Sequence, residues 1–272
     1  MFNNLPGALF EARDDAFFTS LCCVGTLSTF NNFGTFRKTG GTGATTFLEV
    51  VFQNQGSVEL LSGRLNLTGG SGTNRGPVQL AAGTALELVN GTYHWAGGAQ
   101  ITGNGAVFNN LAGGTFEAQG DTVFTYINMV GALPTFNNAG VFRKGNGATI
   151  FTSVLFTNSG TMMLQKGTVS FNGSAGFTQS EAGTLSTDIA GLTAGTDFGW
   201  LTLSGPAALA GALTVNLIDG YEPNLGDAFA ILSFGSRAGQ FGTVNGLAIG
   251  NGKQFQASYG PTALTLTAGP AS

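Results

Sequence analysis

The triplet Phe-Asn-Asn occurs four times in this chain of 272 residues: Phe2-Asn3-Asn4, Phe30-Asn31-Asn32, Phe108-Asn109-Asn110 and Phe136-Asn137-Asn138. The second pair repeats the first at a constant offset of 106 residues. Phe2 to Thr29 aligns without a gap on Phe108 to Thr135, and 15 of those 28 positions are identical. Self-similarity of this kind marks an array in which each unit buries its apolar face only by stacking on its neighbours.

A shorter unit recurs inside each long one, starting at Phe2, Phe30 and Phe52, then at Phe108, Phe136, Phe156 and Phe177, with spacings of about 20 to 28 residues. Its core reads Phe-x-Asn-x-Gly, as in Phe30-Asn31-Asn32-Phe33-Gly34 and Phe156-Thr157-Asn158-Ser159-Gly160. Helical periodicity is absent. Short alternations such as Leu86-Glu87-Leu88 and Thr168-Val169-Ser170-Phe171 have period two and stop at Gly. A unit of this length with two or three short strands is one turn of a parallel β-solenoid. The expected fold is all-β: a right-handed parallel β-helix over residues 1–200, in two long repeats of about 2–107 and 108–200, with a C-terminal β-rich cap and tail over 201–272.

Coils about 4.8 Å apart set equivalent residues above one another. Phe2, Phe30 and Phe52 are expected to stack as an internal aromatic column. Asn4, Asn32 and Asn54 are expected to form an amide ladder at a bend where Gly34 and Gly56 take conformations other residues resist. Phe108, Phe136, Phe156 and Asn110, Asn138, Asn158 repeat the pattern. Glu11, Arg37 and Glu59 align on an outward face with alternating sign, and Glu117, Arg143 and Met163 occupy the same place in the second copy; these are expected to pin the register. Arg37-Lys38 and Arg143-Lys144 read as a solvated face.

Only 9% of residues are charged, and the net charge is −4. Nucleic acid and anionic membranes are recognised through Lys and Arg clusters, which this sequence lacks, so neither is an expected partner. There is no run of 18 apolar residues to insert in a membrane and no visible signal peptide. Cys22-Cys23 are adjacent, a spacing that disfavours an unstrained disulfide, and Asn128-Met129 replace them in the second copy; ordinary packing or surface is expected.

After about Trp200 the text changes to Gly220-Tyr221-Glu222-Pro223-Asn224-Leu225-Gly226-Asp227 followed by Phe229-Ala230-Ile231-Leu232. This module, with the Phe-x-Asn-x-Gly-Thr coils before it, resembles bacterial exported β-helical repeat proteins, the autotransporter passengers and filamentous haemagglutinin-like surface proteins. The resemblance implies export, an extracellular or cell-surface location, and a structural or adhesive role towards glycans, partner proteins or copies of the chain itself. It carries over no functional residue.

Chemistry is sparse. His94 is the sole histidine, which excludes a His-His metal site, and no cofactor or metal is expected. Tyr93, His94 and Trp95 are a candidate sugar-stacking patch, against the alternative that they alternate in and out along one strand. Parallel β-helices also host polysaccharide lyases and glycoside hydrolases, whose chemistry needs carboxylates converging on one cleft. Asp15, Glu117 and Asp121 are the catalytic candidates for that alternative. Asp15 aligns with Asp121 through the long repeat, and Glu11 with Glu117; duplication favours scaffold over catalysis.

Overall fold

The computed structural model describes residues 1–20, 27–126 and 131–271. Most of its strands are short, and among the described residues there is no helix. Three strands make one turn, and successive turns pair in parallel, so the chain is an all-β solenoid with three sides. The first sheet has 11 strands, beginning with Phe2–Asn4, Ser28–Asn32 and Val50–Asn54 and ending at Thr243–Asn245. The second begins with Leu9–Ala12, Thr35–Lys38 and Ser57–Leu60, and the third with Phe17–Thr19, Ala44–Leu48 and Arg64–Thr68. These two fuse along the long strand Trp200–Leu209, which pairs with Thr168–Asn172 at one end and Phe177–Gln179 at the other. Cys22 and Cys23, like Asn128 and Met129, lie outside the described residues.

The two copies of the long repeat do not occupy the same sides. Phe2–Asn4 lies in the first sheet, whereas Phe108 lies in the third, paired with Leu86 and Phe136. Fourteen described strands separate the start of one copy from the start of the other, one short of five complete three-strand turns. Every element of the second copy is therefore displaced by one side. Glu11 faces out from the second sheet and Glu117 from the first.

The interior is built from aromatic triads. Phe30, Phe36 and Phe47, one from each side of a turn, meet edge to face at 5.1 to 6.0 Å, and each stacks nearly flat on its counterpart in a neighbouring turn, as Phe30 does on Phe52 at 5.5 Å and 8°. Phe116, Phe124 and Phe136 repeat the arrangement. Between the two aromatic zones the core is aliphatic, with Val58, Leu65, Val78, Leu86 and Ile101 buried. Edge-to-face and offset-stacked contacts each contribute about 1 kcal/mol beyond the area they bury.

The asparagines form two continuous ladders. Asn4 donates from Nδ2 to Asn32 Oδ1 at 2.7 Å, Asn32 to Asn54 at 2.7 Å, and Asn54 to Asn74 at 2.6 Å. The second runs Asn110, Asn138, Asn158 and Gln179 at 2.7 to 2.8 Å. The second amide hydrogen reaches a backbone carbonyl, Ser57 O from Asn32 and Thr161 O from Asn138. Buried amides cost free energy unless paired, and here each rung pairs the next. The glycines beside them serve a purpose other than the one expected. Gly34, Gly56, Gly140 and Gly160 do not have positive φ; a Cβ on any of them would overlap backbone carbonyls of the adjacent turn. Glycine is required there by close approach.

Lys38 and Lys144 correct the reading of Arg-Lys as a solvated face. Both are 0% exposed. Strand alternation places Phe36 and Lys38 inward and Arg37 outward, and the long stem of Lys38 ends on corner carbonyls.

Parallel pairing does not stop at residue 200. Thr184–Ile189 pairs in parallel with Ala212–Leu217, and that strand with Thr243–Asn245. Antiparallel pairing begins where Ala263–Pro270 covers the edge of Ala228–Ser233, the first half of the strand Ala228–Gly239, backed by Lys253–Tyr259. A parallel edge exposes unpaired amides, and this antiparallel ribbon covers part of it.

Candidate functional site

The outward face of the first sheet is organised by two columns. In one, consecutive rungs carry Thr29, Val51, Ser71, Thr92, Thr115, Val141, Thr161, Thr184, Ala212 and Thr243. Except for the last, each is half-buried, and none is charged. β-branched side chains suit this position because their single preferred rotamer packs against the rungs on either side. The result is a row of hydroxyl and methyl groups at the strand spacing of about 4.8 Å. The column was not legible in the sequence, because its members are separated by unequal loops.

The second column of that face holds Thr73, His94, Glu117, Arg143 and Met163. His94 Nδ1 lies 3.1 Å from Glu117 Oε2 and 2.9 Å from Gln119 Nε2; Arg143 Nη1 lies 3.8 Å from the same carboxylate oxygen. Glu117 is thus held between two basic side chains and a carboxamide. Tyr93 and Trp95 do not join His94 in a stacking patch. They are 3% and 2% exposed, and alternation along Gly91–Trp95 turns them into the core, where Trp95 stacks on Phe116 at 5.3 Å. Gly72 supplies no side chain between Phe52 and Tyr93, and an apolar gap of about 20 Å³ opens there.

Asp15 and Asp121 sit at corners and are engaged with the backbone. Asp15 Oδ1 accepts from Lys38 Nζ at 2.9 Å and Oδ2 from the Gly43 amide at 3.0 Å; the lysine holds its carboxyl below the usual carboxylate range. Asp121 Oδ1 accepts from the Ala148 amide at 2.7 Å. Asp15 lies several turns away from Glu117 and Asp121, so the three catalytic candidates do not converge on one cleft. On the second sheet, Glu11, Arg37 and Glu59 align in register. Their bonding is uneven. Arg37 Nε binds Glu59 Oε2 at 2.6 Å, which raises the Arg37 pKa, while Glu11 turns to Arg13 at 2.7 Å, a bond that lowers the Glu11 pKa.

One open trough of about 480 Å³ runs along a corner of the first sheet, floored by Gly183, Gly211 and Gly242 and walled by Thr184, Ala212 and Thr243. The threonine column forms one side of it. Among the described residues no three His, Cys, Asp or Glu side chains gather as a metal site, and no helix is long and apolar enough to cross a membrane. No protein-family model and no curated protein matches this chain.

Proposed function

We propose that the chain is an extracellular, surface-associated scaffold that acts through its lateral faces, as an adhesin does, by presenting the first sheet to a glycan or a protein. The observation that carries this reading is the uncharged column of ten rungs, six of them threonine and one serine, bordering an open trough. Hydroxyls held on successive strands bind with little loss of side-chain entropy, because the strand restricts their rotamers in advance. The charge pattern agrees: a face with so few cations favours neutral ligands over polyanions.

The test is binding of the purified chain to a glycan array and to insoluble polysaccharides, compared with a Thr92→Lys/Thr115→Lys/Thr161→Lys variant. Loss of binding by about tenfold or more, at unchanged melting temperature, supports the reading. Release of reducing ends or unsaturated products from a polysaccharide, abolished by Asp121→Asn or Glu117→Gln, would replace it with the lyase or glycoside hydrolase alternative.

A further inference from the structure

The two ends of the solenoid are chemically unlike. Downstream, the antiparallel strand Ala263–Pro270 covers the edge of Ala228–Ser233. Upstream, the outer edges of Phe2–Asn4, Leu9–Ala12 and Phe17–Thr19 have no strand partner among the described residues. Phe2, Leu9 and Phe17 are 47%, 51% and 63% exposed. A hollow of about 420 Å³ opens among Phe2, Phe17, Phe18, Phe30, Phe47 and Val50. The downstream faces of these rings are already stacked, Phe2 on Phe30 at 4.9 Å and Phe18 on Phe47 at 4.6 Å. Apolar surface of this kind beside unpaired strand edges marks an interaction site.

The amide ladders specify what fits. Along the inner ladder each Nδ2 donates downstream, so Asn4 has committed its donors to Asn32 Oδ1 and Thr35 O and offers Oδ1 upstream. The outer ladder runs the opposite way: Asn31 Nδ2 donates to Asn3 Oδ1, which leaves Asn3 offering its amide hydrogens upstream. A second copy docked head to head would pair these strands antiparallel. Two Asn3 donors would then meet, and each Asn4 Oδ1 would face a phenyl ring, with its buried acceptor unpaired. A second copy stacked head to tail would bring the edge strand Thr243–Asn245 over Phe2–Asn4; with Val244 over Phe2, Gly246 falls over Asn4 and offers its Oδ1 no side-chain donor. A parallel coil meets every requirement: its Phe lies over Phe2, its inner Asn donates to Asn4, and its outer Asn accepts from Asn3.

We propose that the upstream end is a docking face for one further parallel β-coil carrying Phe-Asn-Asn over the first sheet, so that association at this end is directional. The proposal concerns an end of the solenoid and stands apart from binding at its sides.

The experiment fuses a duplicate of residues 30–51 directly ahead of Phe2 in the full chain, which places the new Phe-Asn-Asn one turn above Phe2 in the spacing that joins Phe30 to Phe52. The expected result is a Tm higher by about 4 °C or more and reduced binding of a hydrophobic dye. A duplicate in which the residue corresponding to Asn32 is Leu is expected to lose at least half of that gain, and the same residues in scrambled order to give none. A native duplicate no better than the scrambled one overturns the proposal. So does sedimentation of the unfused chain as a dimer that Phe17→Asp dissociates, because that outcome assigns the face to a second copy.

Discussion

The two copies of the long repeat share letters and differ in what surrounds them, and Lys38 and Lys144 show the difference most clearly. Lys38 Nζ has three acceptors, Asp15 Oδ1 at 2.9 Å, Gly40 O at 2.7 Å and Asp14 O at 3.1 Å. Among the described residues Lys144 Nζ has one, Gly120 O at 2.5 Å, while Asp121 accepts from the Ala148 amide. Burial pushes the Lys144 pKa down to about 8, with Asp121 opposing the shift. A buried ammonium is tolerated when its donors are met, and its charge becomes a cost when they are not. Identical residues at identical spacing are therefore not equivalent in energy once the loop that positions one carboxylate changes.

The widest separation between the copies is expected in the core. Phe136 is fully enclosed by rings from both neighbouring turns, including Phe108 at 4.5 Å and Phe156 at 4.9 Å, whereas Phe30 has the half-exposed Phe2 on its upstream side. Phe136→Ala should cost about 4 kcal/mol in urea unfolding, and Phe30→Ala distinctly less. Equal losses would mean that the upstream end is as well packed as the middle.

The lysines come next. Lys38→Met should destabilise by about 2 kcal/mol through the corner carbonyls it leaves unpaired, and Lys144→Met by less than about 1 kcal/mol, since it also removes a poorly paired buried charge. The pH dependence of Lys144 supplies a second test. The folded pKa of Lys144, about 8, lies below its unfolded value of 10.5, so between these the unfolded chain holds more protons and stability rises with pH. Unfolding of Lys144→Met followed from pH 7.5 to 10.5 should lack that rise. Asp15 acts at the acid end: its depressed pKa contributes stability that disappears as pH falls below about 4, and Asp15→Asn should flatten the acid limb.

The smallest effect belongs to the outward charges. Arg37→Glu places three carboxylates on consecutive rungs, while Arg143→Glu adjoins only Glu117 on one side and Met163 on the other. A lower Tm for the first variant than for the second, with the difference removed by high salt, is expected. A difference that survives salt would point to packing of the arginine stem instead.

Much of this architecture was legible because a solenoid writes its stacking into the sequence as repetition. Phe30 over Phe52 and Asn32 over Asn54 are readable from one motif. The burial of Lys38 follows from the same alternation that turns Phe36 inward: at this position strand parity outweighs charge. What spacing concealed was the phase of the second copy. Turns here have unequal loops, so 106 residues gives no hint of fourteen strands, and only pairing of Phe108 with Leu86 reveals that the side has changed. The threonine column stayed hidden for the same reason. Its members recur at intervals set by loops that have nothing to do with the column.

The displacement of one side per copy has a consequence for how such a molecule can grow. Lengthening by this unit also turns it: the added segment brings its own outward residues to a flank the parent segment never used, with no substitution needed. Three additions of the same length would restore the starting orientation. A filament enlarged in this way gains breadth of surface chemistry as fast as it gains length.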